Sequence, residues 1–301
     1  MSQKVKKQLK IAIIGDVHDQ WETEDEIALD NLGVDLVLFV GDFGNEVVPL
    51  VSKIAALKLP KAVILGNHDA WYTASDWGRK KSPYDHNKED RVQQQLDLLG
   101  ESHVGYGQKD FPEFNLSVVG SRPFSWGGPT WKNNQFYQER YGVTNFTEST
   151  QKIVKAAKQT QGDRLIILAH NGPFGLGDQP EDSCGKDWHP LGGDFGDPDL
   201  TEAIAQIRCM GKEVLLVTFG HMHYRLRHTK SRLRQAINKS SEGTIYFNSA
   251  SVPRIKQTEK GKLRNFSLVY LENDQISKIS LVWLGEKYQL ITEEMFYHLE
   301  Q

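Results

Sequence analysis

Cysteine is almost missing from this chain. There are two in 301 residues, Cys184 and Cys209, forming neither a C-x-x-C pair nor an even framework. A disulfide scaffold is therefore excluded, and a reducing, cytoplasmic setting is expected. Long apolar runs are missing as well. No stretch approaches the roughly 18 apolar residues of a membrane-spanning helix. The N-terminus MSQKVKKQLK is basic, but only IAII follows before Gly15. A signal peptide needs an apolar stretch of about 7–15 residues, so none is expected. Excess charge of one sign is missing too: 36 basic against 39 acidic residues, net −3 with a pI near 6.4. That balance argues against a nucleic-acid coat or a membrane-surface protein. No G-x-x-x-x-G-K-[ST] stretch occurs, which excludes ATP hydrolysis by a P-loop. Repeats, low-complexity tracts and linkers are also lacking. With 39% hydrophobic residues the core can be large, and residues 1–301 are expected to form a single domain.

What is present is a series of short apolar, β-branched runs: LKIAII, VDLVLFV, KAVIL, LSVVG, RLIILA, EVLLVTF, GTIYFN, FSLVYL and ISKISLVWL. Their length and composition fit strands buried on both faces. Helix-like segments separate the first three. TEDEIALDNLG starts on Thr23 as a plausible N-cap, with acids in its first turn and Gly33 after its end. EVVPLVSKIAALKL is the second, despite Pro49 near its start. A β-α-β-α-β opening predicts an α/β fold with a largely parallel sheet. The last three runs lack intervening helices and predict antiparallel hairpins in a second, mixed sheet. Two insertions, at about 70–90 and 171–199, read as functional loops or lids rather than regular structure.

The apolar runs share an ending. IIGDVH, FVGD, ILGNHD, ILAHN and TFGHMH each deliver a metal-capable side chain at the carboxyl end of a strand. The residues are Asp16, His18, Asp42, Asn67, His68, His170, His221 and His223. In an open α/β sheet, ligands bind at that edge. Residues two apart on an extended segment point the same way, so Asp16 and His18 can grip one ion, as can His221 and His223. Glycines beside them let the backbone turn sharply. A single strand-end aspartate is more often a cap, and a single histidine more often a packed or surface side chain. Five occurrences in one structural context are a different matter.

With these residues in view, the chain resembles the calcineurin-like metallophosphoesterases. Their pattern is D-x-H, G-D, G-N-H-D/E, a lone H, then G-H-x-H. It stands here as Asp16-Val17-His18, Gly41-Asp42, Gly66-Asn67-His68-Asp69, His170 and Gly220-His221-Met222-His223, within residues 11 to 254. The resemblance implies a two-sheet mixed β-sandwich flanked by helices, and a binuclear metal centre. It implies one metal site of Asp16, His18, Asp42 and His223. The second takes Asp42, Asn67, His170 and His221, with Asp42 bridging. Imidazole, carboxylate and amide oxygen suit Mn²⁺, Fe or Zn²⁺ more than Mg²⁺. Hydrolysis by a hydroxide shared between the two ions is implied, with His68 acting on the phosphoryl oxygens or the leaving oxygen and Asp69 orienting it.

Within the family, Ser/Thr protein phosphatases continue G-D with V-D-R-G and precede N-H-E with Arg-Gly. Both arginines are missing here, where Gly41-Asp42-Phe43-Gly44-Asn45-Glu46 and Leu65-Gly66-Asn67-His68-Asp69 stand. The segment FNSASVPR, residues 247 to 254, is similar in part to the N-P-G-S…P-R segment of small bacterial phosphodiesterases.

Substrate contacts are expected from Arg122 and Arg254. Six of seven tryptophans lie in loops: Trp21, Trp71, Trp77, Trp126, Trp131 and Trp188. They could wall a pocket, or form mini-cores that hold large loops. Asp178, Asp182, Asp187, Asp194, Asp197 and Asp199 make the 171–199 insertion acidic, which would repel polyanions near a phosphoryl site. The basic stretch RLRHTKSRLR, residues 225 to 234, lacks interleaved aromatics and is expected to be a solvated loop. The expected activity is metal-dependent hydrolysis of a phosphomonoester or phosphodiester of a small metabolite or nucleotide. The alternatives are a nuclease-like phosphodiesterase, which the acidic insertion disfavours, and a non-catalytic scaffold, which the complete ligand set disfavours.

Overall fold

A computed structural model of the chain describes residues 8–259 and 261–299. The basic residues 1–7, on which the signal-peptide reading partly rests, lie outside the described residues. The chain opens with β1 (Gln8–Ile14), α1 (Thr23–Leu32), β2 (Leu36–Phe39), α2 (Val48–Ala56) and β3 (Lys61–Val63). These strands pair in parallel, β1 with β2 and β2 with β3. Both faces are covered, which is why the runs are continuously apolar. Ala12, Ile14, Val37, Phe39 and Val63 pack on the helices; Ile11, Ile13, Leu36, Leu38 and Ala62 face the other way. Helix α1 starts one residue earlier than Thr23 suggests: Glu22 is the N-cap, and its amide donates to Asp25 at 2.7 Å. Pro49 sits in the first turn of α2, where a missing N–H breaks no helical bond.

Next come α3 (Asp76–Arg79) and α4 (Arg91–Leu99), then β4 (Gln108–Phe111), β5 (Leu116–Gly120), α5 (Asn134–Tyr141), α6 (Phe146–Lys158) and β6 (Arg164–Leu168). The chain continues with α7 (Pro198–Cys209), β7 (Glu213–Phe219), β8 (Ile237–Lys239), β9 (Ile245–Asn248), β10 (Ile255–Thr258), β11 (Gly261–Glu272), β12 (Gln275–Leu284) and β13 (Leu290–His298). One sheet runs β13-β12-β11-β1-β2-β3, with β10 on β11; the other runs β4-β5-β6-β7-β9-β8.

This corrects the expected placement of the C-terminal strands. β11 and β12 are antiparallel neighbours, but β11 also pairs with β1, placing Ile11 opposite Val269. They therefore extend the first sheet. The run Ile245–Asn248 joins β7 in parallel within the second sheet. The sheets face each other through Ile11, Ile13, Leu38, Ile166, Leu216, Phe247 and Val269. Helices α6 and α7 cover the outer face of the second sheet, with Ile153, Ala157, Ala203 and Ile207 on Leu165, Ile167, Val217 and Phe219. The layers are helix, sheet, sheet, helix. Among the described residues no helix is long and apolar enough to cross a membrane.

Candidate metal centre

Five loops leave the carboxyl ends of β1, β2, β3, β6 and β7 on the same edge. They carry Asp16 and His18, Asp42, Asn67 and His68, His170, and His221 and His223. The backbone is strained there: His18, Asp42 and His221 have φ of 43°, 52° and 65°, a left-handed region costly to side chains with a Cβ. Gly41, before Asp42, turns the backbone at φ 101°, whereas Gly66 and Gly220 serve close approach. A Cβ on Gly66 would lie 2.3 Å from Asp42 Oδ1 and 2.5 Å from His170 Cε1; one on Gly220 would lie 2.1 Å from Asp16 Oδ1. Neither glycine has a positive φ.

The side chains converge in overlapping groups. Asp16, His18 and His223 form one, and Asp42, His170 and His221 another, each with ligand atoms within 4.8 Å of one another. A third contains His18, Asp42 and His68, so Asp42 is common to two. In the first group His223 Nε2 lies 3.1 Å from both Asp16 Oδ2 and His18 Nε2. The second group is the more telling. His170 Nδ1 donates to the Val40 carbonyl at 2.8 Å, so its Nε2 presents a lone pair. That lone pair faces Asn67 Oδ1 at 2.9 Å and Asp42 Oδ1 at 3.3 Å. Three polar atoms with lone pairs converge here, Asp42 Oδ1 also accepting the His68 backbone N–H at 2.8 Å, an arrangement that a bound cation would stabilise. The donor set is nitrogen and oxygen throughout and fits a borderline or hard transition metal.

Electrostatics say the same. Burial, and then the charge of Asp16, pushes the Asp42 carboxyl well above the usual range. Burial would raise Asp16 too, but hydrogen bonding and attraction from His223 prevail and hold it below. Burial holds His221 well below the ordinary histidine value.

His68 is placed differently from the others. Its Nε2 lies 4.0 Å from Asp42 Oδ2, while its Nδ1 donates to Asn45 Oδ1 at 2.6 Å. One ring face stacks on Trp71, with centroids 4.5 Å apart and planes at 16°. Trp71 in turn stacks on Trp126 at 5.2 Å and 22°. Burial first, and then the charges of neighbouring imidazoles, brings its pKa down to about 4. Asp69 does not orient His68, contrary to expectation. Its two oxygens accept the backbone N–H groups of Asp42, Phe43 and Gly66 at 2.9, 2.9 and 2.7 Å. Asp69 therefore locks the loops that carry Asp42 and Asn67 to each other. Asn45 does the orienting, and only its place in GDFGN, beside Asp42, could have signalled it.

Arg122 and Arg254 need the same correction, because both are buried in ion pairs and neither offers a free guanidinium to substrate. Arg122 binds Asp199 at 2.9 Å and Asp197 at 2.7 Å, caged by Trp131, Tyr137 and Phe146. Arg254 lies 3.5 Å from Asp25, against Trp21 and Phe266. Four of the six aspartates in the acidic insertion are likewise engaged. Asp197 and Asp199 face Arg122, Asp187 lies 3.3 Å from buried Arg234, and Asp194 accepts two backbone N–H groups. In the basic stretch, Arg234 is a buried strut rather than a solvated residue, donating to the carbonyls of His223, Pro180, Asp182 and Gly185.

The sequence model of the calcineurin-like phosphoesterases matches residues 9–225, and the chain belongs to that family. It is thereby a hydrolase of phosphate-ester bonds, in a family that works with two metal ions. No curated protein matches the chain. One solved structure superposes with a TM-score of 0.53 at 13% identity, covering 91% of this chain and 98% of the other. A dimetal phosphatase from Danio rerio scores 0.46 at 13% identity, covering 97% and 99%. A metallophosphoesterase from Sphaerobacter thermophilus scores 0.34 at 13%, covering 97% and 89%. The first supports the shared fold; the other two scores are too low to carry an argument.

Proposed function

We propose that the chain hydrolyses a phosphomonoester or phosphodiester of a small metabolite or nucleotide. Asp16, His18, Asp42 and His223 would hold one metal ion, and Asp42, Asn67, His170 and His221 the other. The observation that carries this reading is the convergence of His170 Nε2, Asn67 Oδ1 and Asp42 Oδ1 at one buried point. Bound there, Mn²⁺, Fe or Zn²⁺ ions would supply charge neutralisation at the phosphoryl group and a water acidic enough to attack it at neutral pH. The residues do the rest. Asp69 keeps the Asp42 and Asn67 loops in register. Asn45 holds the Nδ1–H of His68, so any proton that His68 gives or takes passes through Nε2, on the side facing Asp42. Trp71, itself backed by Trp126, covers one face of the ring. Two free cysteines, Cys184 buried and Cys209 exposed, fit work in the reducing cytoplasm.

The test uses protein purified without chelator. Elemental analysis should find two metals per chain, and a nitrophenyl phosphomonoester or diester should be cleaved, with chelation abolishing activity. Active protein with one metal or none would sink the binuclear assignment. His68→Ala should retain both metals and lose about 10²–10⁴-fold on an alkyl phosphate, but distinctly less on a nitrophenyl ester that leaves without a proton. Equal losses would reassign His68 to electrostatic stabilisation of the phosphoryl oxygens.

A further inference from the structure

In the loops that follow β5, β6 and β7, cations and aromatic rings alternate. Lys132 Nζ lies 5.5 Å from the centre of the Phe195 ring. Lys186 Nζ lies 5.8 Å from Phe195 and 6.0 Å from Trp188. The Arg227 guanidinium lies 5.5 Å from Trp188. Phe195 and Trp188 meet edge to face at 4.9 Å, joining these contacts into one row. Ring faces hold cations in place without neutralising them, for about 0.5–1 kcal/mol each at exposed sites. Among the described residues, none of the three cations is in an ion pair, although carboxylates are plentiful in the same loop. Those carboxylates are committed elsewhere, to Arg122, Arg234 and backbone amides. Lys186 of the insertion thus shares the row with two cations from other loops, the half-buried Lys132, which donates to the Gly127 carbonyl at 3.0 Å, and the exposed Arg227.

Both ends of the row are tied to ligand loops. At one end Asn171, next to His170, donates its side-chain amide to the Phe195 carbonyl at 2.8 Å. At the other end the Arg227 amide donates to Asp187 at 2.8 Å, and Asp187 lies 3.3 Å from Arg234. Arg234 in turn donates to the His223 carbonyl at 3.0 Å. Burial also depresses the Lys132 ammonium, a penalty that a nearby anion would offset.

We propose that Lys132, Lys186 and Arg227 receive a second phosphate group of the substrate, so that bisphosphorylated small molecules are the preferred class. This rests on the phosphoesterase reading above. It replaces the expectation that the insertion repels polyanions. A phosphate held by prepositioned ammonium and guanidinium groups makes charge-assisted hydrogen bonds, each worth about tenfold in affinity.

The test compares pairs of compounds that differ by one phosphate: fructose 6-phosphate with fructose 1,6-bisphosphate, and adenosine 5′-phosphate with adenosine 3′,5′-bisphosphate. Each competes with nitrophenyl phosphate for the metal-loaded protein, and the ratio of inhibition constants within each pair is the readout. The native ratio should favour the bisphosphate at least about tenfold in one pair or both. The triple variant Lys132→Gln, Lys186→Gln, Arg227→Gln should bring that ratio to within about twofold. The double variant Lys186→Gln, Arg227→Gln avoids the half-buried Lys132 and should move it in the same direction. A native ratio below about twofold in both pairs, or a preference that survives in both variants, overturns the proposal. Should the native protein cleave no nitrophenyl ester at all, the phosphoesterase reading fails by itself. Calorimetric binding of fructose 1,6-bisphosphate to the native and double-variant metal-loaded proteins then decides the cation row: equal affinities refute it, and weaker binding by the variant upholds it.

Discussion

Two buried clusters of acids lie in this protein, and they are built oppositely. Around Arg122, the carboxylates of Asp197 and Asp199 face a guanidinium at 2.7 and 2.9 Å, with Ser125 and Ser149 completing their hydrogen bonds. Two carboxylates share one guanidinium, burial pushes the Asp197 pKa up to about 6, and the Arg122 pKa is raised well above its usual value: burial opposes this, but the two carboxylates outweigh it. Among the described residues, no lysine or arginine pairs with Asp16 or Asp42. The partners are imidazoles, an amide oxygen and the backbone N–H groups of His68 and His221, and the backbone is held in left-handed conformations. A buried cluster whose acids meet a cation of the same chain is structural; one that gathers acids and imidazoles with no such cation is incomplete without a bound one. Residue type alone does not separate them, since each contains two aspartates.

The largest way to break this contrast is at Asp42. Asp42→Ala should cost about 10³-fold or more in turnover, because one carboxylate belongs to two of the ligand groups and metal charge stabilisation is worth several kcal/mol. Calorimetric titration that still showed two metal sites of native affinity would refute its bridging role. Asp42→Asn sharpens the same point. In metal-free protein it should raise the melting temperature, since it removes a carboxylate that burial and Asp16 both destabilise. A fall in melting temperature would place Asp42 with the structural kind.

Asp199→Ala should act with the opposite sign. Breaking a buried pair leaves Arg122 short of a partner and costs about 3–5 kcal/mol, read from the denaturant midpoint at unchanged slope. A loss under about 1 kcal/mol, the level of an exposed pair, would remove the basis for calling this cluster structural.

His103 is a third case, a partly buried ionisable group whose buried Nε2 has no hydrogen-bond partner. Burial lowers its pKa from 6.5 to about 4. On acidification the unfolded chain takes up the proton first. Its contribution is therefore complete above pH 6.5 and is lost as pH falls towards 4, by up to about 3 kcal/mol. Denaturation at pH 7 and pH 4.5 should show a smaller acid loss for His103→Gln than for the native protein. Identical losses would mean that the ring is charged at no cost.

The smallest effect is expected at Asn45, which positions His68 without reaching the ligand groups. Asn45→Ala should lower kcat by about 10–100-fold, with KM and both metals kept. Asn45→Asp, which preserves the acceptor, should recover most of it and alter the pH profile. A change confined to KM or to metal content would show that Asn45 supports the site by another route.

Much of the metal centre is legible in the order of residues, because each ligand lies just past the end of its own strand. An apolar run followed by Gly-Asp-x-His or Gly-Asn-His-Asp carries strand and ligand in one local signal, and parallel pairing brings those ends to one edge. Asn45 sits within the same signal but bears no charge and no metal affinity to mark it. Arg122 shows where local reading stops. Its arginine, after the run LSVVG, reads as a phosphate contact, yet its partners Asp197 and Asp199 lie 75 and 77 residues away. The 171–199 insertion misleads for the same reason: its six aspartates could be counted, but not which way they turn. The C-terminal strands show it for the backbone, since their hairpin pattern is local while the choice of β1 as neighbour is not.

By itself, then, the sequence determined the helix–strand alternation, the two-sided burial of the central strands and the set of ligands at their ends. These rest on side-chain period, apolar content and short-range order, all fixed within a few residues. Only the tertiary structure decided which buried acids meet a cation, which nitrogen of His68 is held, which sheet the last strands join, and that Lys186 of the acidic insertion shares a row of rings with Lys132 and Arg227. Each of these depends on a partner brought from far along the chain. The free energy of a buried charge or a strand edge is set by what meets it, not by what precedes it.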